Sequence, residues 1–513
     1  MVAAAARYRW RDRAWMADRA GRQAPDAPIS FYEVHLGSWR RRPEEDHRVL
    51  TYRELADELV PYVAWLGFTH IALTPVTESP ADDLWGYRPI ALYAPTARFG
   101  PAEDFRAFVD RCHQAGIGVV IDWNPSHFPA EPHGLTAFDG DALYEHPDPQ
   151  QAHHPRWNAK RYHFARNEVG SFLVGSALYW TDRYHVDGLR IGALGSILYL
   201  DFDRGPGEWV PNADGGAEDA AGIGFIRRMN ETIQASSEGA TTVAEDNSGW
   251  PMVSRPTDTG GLGFGFSWDT RWAESTLRYM SRRAIHRKYY HHEVTEAPAR
   301  AVTENVVLPL SHDLVKPGRG SMLSRMSGDL WQKFASLCVY YALMFTQPGK
   351  KLMFMGDEFG QAREWNAEIS LDWHEAIAPL NEGLQLMVRD LNSLYRDEPA
   401  LHERDCEAGG FEWIEADDED QSIISFLRRG REPEAFLAVV CNFTPVIRRD
   451  YRVGVPKGGV YEERLNTDAA MYGGGNVGNA GEVHADEIPM HGRPCSVALT
   501  VPPFAAVVIK PTD

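Results

Sequence analysis

The stretch DGLRIGALGSILYLD, residues 187–201, decides how the rest of the chain is interpreted. Apolar Leu189 and Ile191 flank Arg190, a pattern typical of a short buried strand that ends in polar residues. A buried guanidinium needs a carboxylate partner. Side chains two apart on a strand point to the same side, so position 192 shares the side of Arg190, and that position is Gly192. The missing side chain governs the functional interpretation.

Strand and helix patterns alternate on both sides of this stretch. Further strands are predicted at residues 29–36, 70–76, 118–122, 241–245, 262–268, 306–312 and 351–355. One helix is predicted to begin at the capping box of Thr51 and Glu54, and a second after Pro101. Three more are predicted at residues 170–185, 222–236 and 330–345. About eight alternating units predict an α/β fold with a closed parallel (β/α)8 TIM barrel at residues 29–400, after a lead-in at residues 1–28.

The sequence pattern changes near Leu401, from alternating helices and strands to short strands alone. Short strands are predicted at residues 411–414, 422–427, 435–443 and 496–509, separated by Gly, Pro and Asp, so residues 401–513 predict a C-terminal antiparallel β-sandwich. The one Gly-x-Gly-x-x-Gly match, at residues 473–478, follows no predicted strand and opens no predicted helix. We therefore interpret it as a flexible loop and expect no cofactor.

The amino-acid composition argues against several kinds of binding partner and site. The chain has 513 residues, 43% of them hydrophobic, and a net charge of −20, which argues against nucleic acid or an anionic membrane as partner. Its five cysteines are scattered without a Cys-x-x-Cys pair, and no His/Asp cluster has convincing ligand spacing, so neither a disulfide framework nor a metal site is predicted. No apolar run is long enough to span a bilayer and no signal peptide is evident, so we expect a cytoplasmic protein.

Polar side chains stand where the predicted barrel strands end, which is where such barrels carry their chemistry. They are Tyr87, Asp122, His127, Arg190, Glu245 and the pair His312-Asp313. One Glu and one Asp on different strands, with an Arg and two His, supply an acid, a charge stabiliser and groups that bind hydroxyls. This set is typical of glycosidic chemistry, although Asp122, Arg190 and His127 would also serve as a purely structural network that holds the strand ends together.

A series of motifs resembles one family, the glycogen (1,4-α-glucan) branching enzymes of the α-amylase superfamily. The resemblance extends from about Tyr8 to the end of the chain. The motifs are YEVHLGSW at 32–39, WGY at 85–87, DWNPSHFP at 122–129, DGLR at 187–190, AED at 244–246, LSHD at 310–313 and GDEFG at 356–360. The family commonly carries an amino-terminal carbohydrate-binding domain, for which we find no counterpart here.

The resemblance implies a barrel followed by a β-sandwich, with α-1,4-glucan or maltooligosaccharide as the ligand. It assigns Glu245 as general acid/base and Asp313 as the carboxylate that stabilises the transition state. It implies that the sugar-binding residues are Tyr87, Asp122, His127, Arg190 and His312. Trp85, Trp123 and Trp365 lie beside these motifs and are candidates for stacking on sugar rings. Glu358, at the end of the eighth strand, is expected to cap a helix rather than to touch the ligand.

At position 192 the resemblance implies a nucleophilic Asp, and this chain has Gly192. A glycine cannot form the covalent glycosyl intermediate of a retaining mechanism. After His312-Asp313 the family usually continues Glu-Val-Val-His-Gly-Lys, whereas this chain reads LVKPGR at residues 314–319. Several changes near one site favour natural divergence over a single engineered substitution.

Three hypotheses follow. The chain is a branching-enzyme homologue that binds α-glucan but has lost or greatly reduced its transferase activity, a pseudoenzyme. Alternatively, Gly192 leaves room for a water and the protein is an inverting α-glucan hydrolase with Glu245 as acid. The third possibility is a glucan-binding or scaffolding protein whose function is recognition alone.

Overall fold

The computed structural model describes residues 8–80, 85–132 and 134–512. Eight parallel strands close into a barrel in which each strand pairs with its neighbours in the chain and the last pairs with the first. The strands are β1 Ser30–Val34, β2 His70–Leu73, β3 Gly118–Asp122, β4 Gly188–Ile191, β5 Thr241–Glu245, β6 Phe266–Trp268, β7 Val306–Leu310 and β8 Lys350–Phe354. The predicted (β/α)8 barrel is confirmed.

Helices cover the outside of the barrel. Within the described residues, those of ten residues or more are α1 Arg13–Arg22, α2 Tyr52–Leu66, α3 Ala102–Gln114, α4 Asn167–Arg183, α5 Ala220–Ser236, α6 Thr270–Ser281, α7 Leu330–Thr346 and α8 Pro379–Asp397. The predicted capping box begins α2: the side chain of Thr51 accepts from the Glu54 backbone and that of Glu54 accepts from the Thr51 backbone. Pro61 lies inside this helix. Helix α1 falls in the lead-in, where the sequence has no clear period.

Shorter elements fill the connections. The long connection after β3 contains a three-stranded antiparallel sheet of His127–Pro129, His153–His154 and Ala159–Arg161, and the helix Pro149–Ala152. Other short strands are Arg41–Arg42, Arg48–Val49, Thr77–Glu78 and Ala91–Pro95. Single-turn α-helices are Leu36–Trp39, Gly195–Leu198, Ala284–Arg287, His292–Thr295, His312–Val315 and Met322–Arg325. The 3₁₀ segments are Pro43–Glu45, Ala97–Phe99, Thr257–Thr259, Lys288–Tyr290, Ala297–Val302, Asp357–Phe359, Pro399–Leu401, Ala408–Gly410 and Ala470–Tyr472.

The C-terminal domain is an antiparallel sheet of eight strands. They are β9 Phe411–Asp418, β10 Ile423–Arg429, β11 Phe436–Asn442, β12 Arg448–Val455, β13 Gly459–Asn466, β14 Glu482–Asp486, β15 Cys495–Val501 and β16 Ala505–Pro511, in the order β9-β10-β11-β16-β13-β14-β15-β12. Strand β11 also contacts β15, which is not its neighbour in the sheet, so the sheet curls over its own core. The single strand predicted at 496–509 is two strands, because Pro502 and Pro503 cannot donate ladder hydrogen bonds.

The interior of the barrel is filled by apolar side chains. These include Phe31, Val120, Val243, Phe266 and Leu352, each no more than 2% exposed. A packed interior leaves no channel, so a ligand site on the barrel is confined to the loops at the ends of its strands. None of the described helices is long and apolar enough to cross a membrane.

A buried network of acids and histidines ties the N-terminal segment to the amino-terminal end of the barrel. Asp187 Oδ2 lies 2.9 Å from His113 Nε2, and Asp12 Oδ2 lies 3.0 Å from His113 Nδ1. Trp15 of α1 stacks on the ring of His113 and donates its indole N–H to Asp187 Oδ1 at 2.8 Å. His185 Nδ1 lies 2.7 Å from the same oxygen of Asp12. The start of β4 is therefore linked to the lead-in.

A second buried ionic cluster connects the barrel to the C-terminal sheet. Lys350 Nζ of β8 donates to Asp405 Oδ2 at 2.9 Å, and Arg428 Nη2 of β10 donates to Asp405 Oδ1 at 2.6 Å. Arg428 also donates to the carbonyl of Thr346, the last residue of α7, at 2.7 Å. The side chains of Lys350, Asp405 and Arg428 are fully buried, so these charges depend on one another for compensation.

Replacing Asp405 by Asn should lower the free energy of unfolding by about 3–5 kcal/mol, because two buried cations lose their counter-charge. The measurement is urea denaturation followed by tryptophan fluorescence. The control is Asp486→Asn, whose carboxylate pairs with Arg452 at 2.9 Å with its side chain 52% exposed. That exposed pair should contribute no more than about 1 kcal/mol. Equal losses of unfolding free energy in the two variants would show that Lys350 and Arg428 do not depend on Asp405 for charge compensation.

Because of the His113 network, the free energy of unfolding should fall as the pH rises into the alkaline range. Burial lowers the pKa of His113, but Asp187 and Asp12 raise it more, to about 9. A histidine whose pKa is raised on folding contributes stability that is complete below its unfolded pKa of about 6.5 and is lost as pH rises through the folded value. Between pH 6.5 and pH 9, the free energy of unfolding of the wild type should therefore fall by up to about 3 kcal/mol more than that of His113→Gln. Parallel stability–pH curves for the two proteins would contradict the assignment.

Candidate functional site

A cleft of about 700 Å³ lies at the carboxyl ends of the barrel strands. Ten of the residues singled out in the sequence border it: Trp85, Tyr87, Asp122, Trp123, His127, Arg190, Gly192, Glu245, His312 and Asp313. A larger groove of about 840 Å³ lies on the C-terminal sheet, lined mainly by charged residues of β9 and β12, and contains none of these residues. The cleft on the barrel is therefore the candidate site.

Arg190, at the end of β4, is the central charge of this cleft. It is 3% exposed, and its guanidinium donates to Asp122 Oδ2 at the end of β3 and to Glu245 Oε2 at the end of β5. Its Nη1 also lies 3.2 Å from the Tyr87 hydroxyl, which donates to Asp122 Oδ2 at 2.6 Å. The ring of Trp268 lies 4.0 Å from the guanidinium carbon. Arg190 therefore finds its carboxylates on the two neighbouring strands.

Gly192 follows β4 directly and contributes no side chain to the floor of the cleft. A Cβ atom built on this residue would lie 3.2 Å from Glu245 Oε2 and 3.7 Å from the guanidinium carbon of Arg190. The backbone at Gly192 is not in the left-handed region, so it can carry a side chain. A Cβ atom here fits once the Glu245 carboxylate moves by a few tenths of an ångström.

Glu245 is a buried carboxyl group with an elevated pKa. Its burial raises the pKa most, Arg190 opposes that change, and the nearby Asp313 carboxylate raises it again. A carboxyl group that keeps its proton more readily than usual has the property required of a general acid.

His312, which follows β7, is held by a carboxylate that the sequence analysis did not assign. Glu33 of β1 accepts from the backbone N–H of His312 at 2.8 Å, and its other oxygen lies 2.7 Å from His312 Nδ1. Burial lowers the pKa of His312, but Glu33 raises it more, to about 9. The imidazole is therefore cationic at neutral pH, and its Nε2 lies 3.2 Å from the Tyr87 hydroxyl.

Asp313 is paired with a lysine of the same turn. Lys316 Nζ donates to Asp313 Oδ1 at 2.6 Å, and both residues border the cleft. Burial raises the pKa of Asp313, but the positive charges of His312 and Lys316 lower it more, to about 2. Asp313 is therefore ionised at neutral pH, and its charge is matched by an ammonium group.

His127 lies on the wall formed by the long connection after β3. Its Nδ1 lies 2.7 Å from the Ser126 hydroxyl, and its Nε2 lies 3.2 Å from the carbonyl of Tyr87. Burial lowers the pKa of His127 to about 4, so the ring is neutral. Trp157, which the sequence analysis did not single out, packs against His127 with ring centroids 4.6 Å apart and also borders the cleft.

The three tryptophans proposed for stacking have different environments. Trp85 borders the cleft and packs edge-on against Trp365, with ring centroids 4.6 Å apart. Trp365 is 3% exposed and does not border the cleft. Trp123 also borders the cleft, but it has no exposed surface, and its indole N–H donates to Ser176 Oγ at 3.1 Å. Trp85 is therefore the one of the three with exposed surface at the cleft.

Glu358 lies behind the cleft rather than in it. It is fully buried and accepts from the hydroxyls of Tyr32 at 3.0 Å and Tyr62 at 2.8 Å, and from the backbone of Gly356 at 2.6 Å. Burial raises its pKa to about 7. Its role in these contacts is structural, and it does not border the cleft.

Two family models match parts of the chain. Residues 55–151 match the catalytic domain of alpha amylase, and residues 413–512 match its C-terminal all-beta domain. Among solved structures, the alpha-amylase from Geobacillus thermoleovorans complexed with acarbose superposes with a TM-score of 0.67 at 16% sequence identity, covering 95% of this chain and 98% of that one. This likeness agrees with the barrel and the C-terminal sheet.

Curated relatives are much more similar in sequence. The 1,4-alpha-glucan branching enzyme GlgB of Rubrobacter xylanophilus is 55% identical over 505 residues, which cover 98% of this chain and 70% of the relative. The enzyme of the same name from Paramagnetospirillum magneticum is 53% identical over 501 residues, covering 98% of this chain and 68% of the relative. The chain therefore belongs to the family of 1,4-alpha-glucan branching enzymes GlgB.

Proposed function

We propose that this protein binds α-1,4-glucan in the cleft on the barrel and that its branching activity is lost or strongly reduced. The observation that carries the proposal is the pairing of Arg190 with Asp122 and Glu245 around a position that has no side chain. The groups expected to hold a sugar are together, and the attacking carboxylate is missing.

Each retained group has a task in sugar binding. Tyr87, Asp122, Arg190 and the cationic His312 offer hydrogen-bond donors and acceptors at the cleft floor, which suits the hydroxyls of a glucose unit. Trp85 offers an apolar face at the rim. Glu245, with its elevated pKa, would protonate the oxygen of the bond to be cut.

The lost step is nucleophilic attack on the anomeric carbon. In a retaining transfer a carboxylate forms the glycosyl intermediate, which an acceptor hydroxyl then resolves with the acid/base residue now removing its proton. Gly192 offers no atom for this bond. The carboxylates Asp122 and Asp313 are each held by a cation, Arg190 and Lys316 respectively, which favours recognition over an altered hydrolytic mechanism.

Maltoheptaose should bind to wild type, and amylose should remain unbranched. Isothermal titration calorimetry measures the first, and iodine absorbance with quantification of 1,6-linkages measures the second. Trp85→Ala should weaken maltoheptaose binding roughly tenfold through loss of the indole contact, whereas Trp65→Ala, an indole on α2 that does not border the cleft, should not. Brisk branching by wild type would overturn the loss of activity, and release of reducing ends of inverted configuration would support the inverting hydrolase instead.

Supplying a carboxylate at the vacant position should restore branching. Gly192→Asp should show branching of amylose at a rate at least roughly a hundredfold above that of Gly192→Asn, because the two side chains have the same shape and only the carboxylate is a competent nucleophile. The measurement is the initial rate of 1,6-linkage formation. Equal rates for Gly192→Asp and Gly192→Asn would mean that the rest of the cleft no longer supports transfer.

A further inference from the structure

The ion pair between Lys316 and Asp313 lies inside the cleft rather than on the outer surface. Both residues follow β7, with Asp313 on the single-turn helix His312–Val315 and Lys316 directly after it. The ammonium nitrogen lies 2.6 Å from Asp313 Oδ1, and each side chain is 38% exposed. The pair is therefore accessible to a ligand and shielded from solvent on one side.

An ammonium group at this distance changes what Asp313 can recognise. Transfer of a glycosyl group passes through a transition state with positive charge at the anomeric carbon, and a lone carboxylate stabilises that charge. A carboxylate neutralised by a lysine presents little net field to a cation. It still presents an acceptor beside a donor, which matches the neighbouring hydroxyls of a neutral sugar.

The other charged groups around Asp313 do not offset its neutralisation by Lys316. His312 and Arg190 add positive charge near it, and the opposing carboxylates are already engaged with these two cations: Glu33 with His312, and Asp122 and Glu245 with Arg190. Lys316 therefore adds a positive charge to a cleft in which Arg190 and His312 are already paired with other carboxylates.

We propose that Lys316 is a specificity-determining residue that neutralises Asp313, so that the cleft binds neutral α-glucan in preference to ligands with positive charge near the anomeric centre. This inference rests on the proposed function, since it assumes that glucan occupies the cleft. Lys316 is then a second feature, independent of Gly192, that favours binding of the ground state over the transition state.

The test compares two ligands of similar size. Maltotetraose is neutral, and acarbose carries a basic nitrogen in place of a glycosidic oxygen. Calorimetry gives both dissociation constants for wild type and for Lys316→Met, which keeps the aliphatic stem and removes the charge. The ratio of the maltotetraose to the acarbose dissociation constant should rise about five- to tenfold in Lys316→Met, and less at high salt. Lys316→Gln should act in the same direction.

Two controls test whether the change in ligand preference comes from the Lys316–Asp313 pair. Lys457 pairs with Glu434 on the C-terminal domain with its side chain 35% exposed, close to the 38% of Lys316, and Lys457→Met should leave the ratio unchanged. The double variant Lys316→Met/Asp313→Asn should show no rise in the ratio of dissociation constants. In Lys316→Met the rise comes from the Asp313 carboxylate, which no longer pairs with an ammonium group.

The possible failures are distinguishable. If maltotetraose binds and the ratio does not change in Lys316→Met or Lys316→Gln, the role of Lys316 is overturned and glucan binding stands. If neither ligand binds to wild type or to the variants, the proposed function fails and this inference fails with it.

Discussion

The cleft depends on one buried cation. Arg190 is almost fully buried, and a guanidinium in that position is tolerated only where carboxylates surround it. Asp122 and Glu245 meet this need from the strands on either side of β4, and Tyr87 extends the network to His312. Arg190 thereby joins the ends of β3, β4 and β5 with the loop after β2 and the turn after β7.

Much of this arrangement could be predicted from the sequence because its signals are local. Alternating strand and helix patterns indicated the barrel, and polar residues at strand ends indicated which side chains meet, since parallel strands in a barrel end on one face. The strand pair at residues 495–511 was predicted as one strand, because a continuous apolar run hides a turn at two prolines.

The parts that could not be predicted are contacts between distant residues. Glu33 lies 279 residues from His312, and nothing in either segment indicates that they pair. The network of Asp12, His113 and Asp187 likewise joins three separate segments, and helix α1 has too weak a period to be recognised. Lys316 was visible only as a departure from a family pattern, and its pairing with Asp313 depends on side-chain geometry.

The short strand β4 is anchored by charge at both ends: Asp187 just before it is bound at the bottom of the barrel, and Arg190 within it is bound at the top. A slip of one residue would exchange the two faces of the strand and break both anchors. The backbone at Gly192, directly after β4, is therefore positioned by contacts that do not involve its own side chain. The chemistry of the side chain at this position can vary without loss of the scaffold, even though Arg190, two positions earlier, is structurally essential.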